Sequence, residues 1–125
     1  MIRIIRAIRI IRNSFKLLPK INRLTKKKDF DAVFKRGETI KNDFLVCKSM
    51  GNHLPEGRFG FIVSKKVSSK ATQRNKIKRR LRDAAFYELK NLKKPADVVI
   101  IALPQINKKE FLEIQAAIAK FFKKI

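Results

Sequence analysis

Hydrophobic and polar positions recur along this chain with periods that change several times, and each change predicts an element. Phe30, Val33 and Phe34 stand at helical spacing after Thr25, which can cap a helix, and before Gly37, where one would stop. Over 43–49 the period falls to two, with Phe44 and Val46 set against Leu45 and Cys47, which predicts a strand with two different faces. The turn formers Gly51, Asn52, Pro55 and Gly57 lead into a second strand over 58–64, with Phe59, Phe61 and Val63 on one face. The two strands are expected to form an antiparallel pair.

Ile77, Leu81, Ala84, Ala85 and Leu92 return to helical spacing and predict a helix over 71–92. Lys93-Lys94-Pro95 ends it, and the run Val98-Val99-Ile100-Ile101 within 97–103 predicts a central strand, buried on both faces. Pro104 stops that strand. Asn107 with Glu110 has the form of a capping box for a last helix, along which Phe111, Ile114, Ala117, Ile118, Phe121 and Phe122 share one side. The order α-β-β-α-β-α predicts an α/β (α+β) two-layer sandwich: helices on a small mixed sheet, with one strand-helix-strand crossover through the helix at 71–92.

Charge changes what that helix is for. The 125 residues suit one domain, and 32 Lys and Arg against 10 Asp and Glu give a formal charge of +22. Such a surface calls for a dense polyanion, nucleic acid first and an anionic membrane second. Within Gln73-Arg74-Asn75-Lys76-Ile77-Lys78-Arg79-Arg80-Leu81-Arg82 the cations Lys76, Arg79 and Arg80 fan out opposite the apolar face. A charge run is most often a solvated face. Here, however, Ser64-Lys65-Lys66-Val67-Ser68 brings a second source of charge just upstream, and two converging sources suggest a binding surface.

Other chemistry is sparse. Cys47 is a lone cysteine and His53 a lone histidine, read as an exposed loop residue, so neither a disulfide nor a zinc site is expected and a reducing, cytoplasmic setting fits. The acids are scattered, so no catalytic or metal-binding residue is assigned and an autonomous nuclease is not expected. No apolar run reaches the length of a bilayer span, and stable membrane insertion is not expected. Residues 1–28 contain no acid, and Arg3, Arg6, Arg9 and Arg12 recur every third position. That stretch fits an appended tail attracted to RNA or membrane, a targeting segment, or an upstream start-site artefact. Residues 1–21 are therefore set apart as a basic extension, disordered or helical, from a domain over 22–125.

Three blocks in order carry a resemblance: Arg58-Phe59-Gly60-Phe61-Ile62-Val63-Ser64-Lys65-Lys66-Val67, then the basic run at 73–82 with its Arg74-Asn75 pair, then Asp97-Val98-Val99-Ile100-Ile101-Ala102. Together with Leu24-Thr25-Lys26-Lys27-Lys28-Asp29-Phe30 and the residues to Gly37, they resemble the protein subunit of bacterial ribonuclease P. The resemblance implies a basic subunit that assists a catalytic RNA in removing the 5′ leader of precursor tRNA. Hydrolysis would belong to the RNA and the Mg2+ it mainly binds, with no obligate protein partner.

Carried over residue by residue, the RNA contacts are Arg74, Asn75, Lys78, Arg79 and Arg82, joined by Lys65, Lys66, Lys76 and Arg80 of the same basic surface. The leader cleft, between the sheet and the first helix, takes in Phe30, Phe34, Phe44, Leu45 and Cys47. Phe30 and Phe34 are thus either core residues or platforms on which unpaired bases stack. The family implies a left-handed crossover, against the general right-handed preference. Two positions depart from its pattern, Cys47 where a Tyr is frequent and Leu103 where an Arg is. The competing function is a general RNA-binding or ribosome-associated protein, separable by whether precursor tRNA cleavage responds to it.

Overall fold

The structure, a computed structural model, describes residues 19–125. The Arg repeat at 3–12 lies outside the described residues. The sheet is centred on β4 (Ala96–Ala102), whose valines and isoleucines are buried on both faces apart from a half-buried Ile101. β4 runs antiparallel to β2 (Leu45–Gly51) on one side and parallel to β3 (Arg58–Ile62) on the other. β1 (Glu38–Lys41) adds an antiparallel edge, giving the order β1-β2-β4-β3.

This corrects one expectation and completes another. β2 and β3 point in opposite directions but are not bonded to each other, because β4 lies between them. The extra strand β1 went unread, since Glu38-Thr39-Ile40-Lys41 is short, exposed on three of its four residues and held by the β2 backbone rather than by buried side chains.

Three α-helices cover the sheet: α1 (Lys27–Arg36), α2 (Ala71–Tyr87) and α3 (Phe111–Lys124). α2 is the crossover between the parallel strands β3 and β4. It ends at Tyr87, short of the expected Leu92, and a 3-10 turn at Leu89–Asn91 follows, so Leu92 packs on the core from outside the helix.

The larger core joins Leu45, Cys47, Phe59, Val98 and Ile100 of the sheet to Ile77, Leu81, Ala84 and Ala85 of α2 and Ile114, Ile118 and Phe122 of α3. Phe59 stacks on Phe122 with ring centroids 5.3 Å apart. On the opposite face, alternate residues of β4 meet α1: Val99 clusters with Leu24 and Val33, and Phe30, Met50, Ile62 and Ile101 pack around them.

Two caps differ from expectation. Lys26, not Thr25, occupies the N-cap of α1, and no side chain caps it. At the other end Gly37 is extended, with φ −75°, so its role is space: a Cβ there would lie 2.4 Å from the Val33 carbonyl oxygen and 3.0 Å from that of Ser49. The capping box of α3 is made by Glu110 and Glu113. Asn107 is drawn into a 3-10 turn, Pro104–Lys108, because Pro104 opens that turn three residues before it.

Candidate nucleic-acid interface

α2 sorts its residues by chemistry. Ile77, Leu81, Ala84 and Ala85 are buried, while Asn75, Lys76 and Arg79 are exposed and Arg74, Lys78, Arg80 and Arg82 half-buried. Lys76, Lys78 and Arg80 take part in no ion pair among the described residues, which leaves their charge directed at whatever lies outside. Asp83 is the one acid of the helix. Its Oδ1 is buried without a hydrogen-bond partner, and burial pushes its pKa up to about 6 although Arg79 and Arg82 pull the other way.

The segment entering α2 adds to the same surface. Lys65 and Lys66 are exposed at the corner of a turn closed by the Val67 N–H, which donates to the Ser64 carbonyl at 3.1 Å. Val67 itself is buried in the larger core and anchors the turn. Arg74, one of the expected RNA contacts, turns part of its guanidinium inward: Nη1 donates to the carbonyl oxygens of Ser68 and Ser69, each at 3.0 Å.

A second surface lies on the α1 side of the sheet. Phe34 is 40% exposed, and Phe30 is half-buried with its ring over Gly60, where a Cβ would come within 2.5 Å of it. Lys48 Nζ stands 5.9 Å from the Phe34 ring centroid and donates to Thr39 Oγ1 at 3.1 Å. An exposed ring beside an ammonium group presents both a stacking face and a phosphate partner.

Three expected cleft residues are elsewhere. Leu45 and Cys47 are buried on the opposite face of β2, under α2 and α3, and Phe44 joins that same core with Lys109 Nζ 5.3 Å from its ring centroid. The reason is strand parity: with Leu45 and Cys47 facing the larger core, Val46, Lys48 and Met50 face α1. Phe44 escapes the alternation because Asn42 Oδ1 accepts hydrogen bonds from both the Phe44 and Leu45 N–H groups, turning the chain into the strand. Desolvation pushes the Cys47 thiol up to about 12. The departure from a Tyr at Cys47 therefore concerns the core in this chain, not the cleft.

The sequence reading also missed what holds α1 over the sheet. Arg58 Nε and Nη2 donate to the two carboxylate oxygens of Asp97 at 2.8 and 2.7 Å, and Nη1 reaches Asp29 of α1 at 3.3 Å. Asn52 Nδ2 adds a bond to Asp97 Oδ1 at 3.0 Å. An acid opening the otherwise apolar strand at 97–103 was the available signal, since a buried carboxylate needs a partner.

Among the described residues no group of three His, Cys, Asp or Glu could hold a metal ion, and no helix is long and apolar enough to cross a membrane.

The family model described as Ribonuclease P matches residues 18–125. A ribonuclease P protein component of Caldanaerobacter subterraneus subsp. tengcongensis is 35% identical over 105 residues, spanning 84% of this chain and 90% of the relative. That of Legionella pneumophila (strain Corby) is 39% identical over 107 residues, spanning 85% and 90%. Among solved structures, the RNase P protein from Thermotoga maritima superposes with a TM-score of 0.75 at 28% identity, covering 82% of this chain and 96% of that one. The Staphylococcus aureus RNase P protein gives 0.73 at 30%, covering 82% and 94%.

Proposed function

Since this chain belongs to the family of bacterial ribonuclease P protein subunits, we propose that α2 and the turn before it dock the catalytic RNA of that ribonucleoprotein, while the α1 side of the sheet receives the 5′ leader of precursor tRNA. The observation that carries the reading is the pairing of two unlike surfaces. One is cationic, with no ion pair at Lys76, Lys78 or Arg80 among the described residues; the other offers Phe34 beside Lys48. Phosphates satisfy the first and unpaired bases the second. A general RNA-binding role outside this enzyme is not favoured, because the relatives reported above are ribonuclease P protein components.

The chemistry is assigned to the RNA. Mg2+ would supply a polarised phosphate and an activated water there. Among the described residues no three carboxylates come together, and Asp29 and Asp97 are committed to Arg58, Glu88 to Asn91 and Gln115. The protein's part is to bind and orient. A cytoplasmic setting is supported by the buried, unpaired thiol of Cys47, and recovery of the protein with cell envelopes after fractionation would count against it.

The test is a pair of titrations. Arg79→Ala should weaken assembly with the cognate catalytic RNA; Phe34→Ala should weaken binding of leader-bearing precursor tRNA by the assembled enzyme and spare leaderless tRNA. The reading of the two surfaces fails if Arg79→Ala assembles normally at moderate salt, or if Phe34→Ala affects both tRNAs alike.

A further inference from the structure

Eight residues, 63–70, connect β3 to α2, and their exposed lysines would be expected to wave in solvent. They are instead pinned at three successive carbonyl groups. Asn107, from the 3-10 turn after β4, donates through Nδ2 to the Val67 carbonyl at 2.7 Å. Arg74 Nη1 takes the carbonyls of Ser68 and Ser69. The Ser68 hydroxyl accepts the Lys70 N–H at 3.2 Å, and Val67 is buried beneath. Asn107 is itself tied to the turn that carries it, with a second bond from Nδ2 to the Pro104 carbonyl at 3.2 Å, and Ile106 beside it is 2% exposed.

We propose that Asn107 is a positioning residue for RNA docking: through the Val67 carbonyl it fixes the turn that presents Lys65 and Lys66, with Arg74 holding the following two carbonyls. This rests on the reading that the basic turn meets the catalytic RNA. A neutral amide, remote in sequence and exposed to solvent, thereby acts on affinity without touching a phosphate. Its contribution is entropic, since lysines held before encounter lose less freedom on binding. Arg74 likewise serves inward as well as outward: Nη1 alone donates to both carbonyls, and a lysine there keeps the charge but, with a shorter side chain and a non-planar head, does not place its nitrogen in the same position.

The experiment measures affinity of the full-length protein for its cognate catalytic RNA across a salt series, with circular dichroism on every variant. Asn107→Ala should weaken binding roughly 3- to 10-fold, the equivalent of one net hydrogen bond, with the log-log salt slope unchanged because no cation is lost. Lys66→Ala should flatten that slope by about 0.7 to 0.9. In double-mutant cycles, Asn107→Ala should couple to Lys65→Ala/Lys66→Ala, losing most of its effect in that background, and add independently to Arg79→Ala. Arg74→Lys gives a second, charge-neutral approach and should lower affinity with the slope preserved.

An unchanged affinity for Asn107→Ala, a flattened slope, or equal additivity in both cycles overturns the proposal. Should the lysine pair itself have no effect on affinity or slope, the turn is not an RNA contact, and the docking reading fails before Asn107 is at issue. If Asn107→Ala loses the native circular dichroism, its role is general to the fold and the proposal is likewise overturned.

Discussion

Arg58 and Asp97 face each other across the β3–β4 pair with two parallel hydrogen bonds, 2.8 Å from Nε and 2.7 Å from Nη2, around a carboxylate that is nearly buried. The forked geometry is the strong form of an ion pair. It also raises the Arg58 pKa, through the Asp97 hydrogen bond first and despite partial desolvation. Because Nη1 of the same guanidinium reaches Asp29, one side chain ties α1 to two strands.

Arg58→Ala should therefore cost about 3 kcal/mol, most of it from leaving the Asp97 carboxylate buried with Asn52 as its remaining side-chain donor. Asp29→Ala, which breaks the longer and more exposed contact, should cost about 1 kcal/mol or less. Urea denaturation of both variants checks the ranking, and equal losses would contradict it.

Gly60→Ala should displace the Phe30 ring, since its Cβ would sit 2.5 Å from two ring carbons. Overpacking of this kind costs about 1–3 kcal/mol. Phe30 is half-buried and belongs to the proposed leader surface, so a folded variant with altered affinity for leader-bearing tRNA is expected. Unaltered stability and unaltered leader affinity together would show that the close approach has no consequence.

Asp83 gives a pH dependence of defined sign. Its folded pKa is raised from 3.8 to about 6, so the folded state holds the proton more tightly than the unfolded chain. The stabilisation from that proton is complete below pH 4 and is lost as pH rises through about 6. Asp83→Asn, which cannot ionise, should gain stability relative to the parent between pH 4 and 7. Chemical denaturation midpoints of the two proteins, compared at pH 4.5 and 7, test this; a difference that stays constant would refute it.

Cys47, with its thiol raised to about 12 and almost wholly buried, should not react with a thiol reagent at pH 8 while the protein is folded. Labelling should follow opening of the larger core and accelerate with sub-denaturing urea. Rapid labelling without denaturant would place the thiol at the surface.

Much of the fold was legible because burial and period coincide. The apolar face of α2 and the doubly buried β4 each follow from spacing alone, and β4 lies at the centre as its Val-Val-Ile-Ile run requires. The errors arose where a backbone partner, not a side chain, decides. β1 exists because β2 offers it hydrogen bonds, and nothing in Glu38-Thr39-Ile40-Lys41 announces that. Strand parity in β2 depended on Asn42 placing Phe44, so the alternation was visible but not which set faces α1; Lys48 was consequently missed. The cations of α2 were plain in the sequence, whereas the inward grip of Arg74 and the reach of Asn107 to Val67 are long-range contacts that no local pattern encodes.

The insertion of β4 between β2 and β3 has a consequence for biosynthesis. β2 and β3 have been made before Ala96 is polymerised, yet neither has its main neighbour until β4 arrives. Until then, among the described residues, β1–β2 is the one pairing between named strands, beside a single bridge of Arg23 to Phe59, and an isolated two-stranded ribbon is marginal in water. Completion of the sheet therefore waits on β4, which then pairs with β2 on one side and β3 on the other. A polycation held open beside ribosomal RNA is exposed to the wrong polyanion at that stage, so the interval between synthesis of β3 and release of β4 is when miscapture competes with folding.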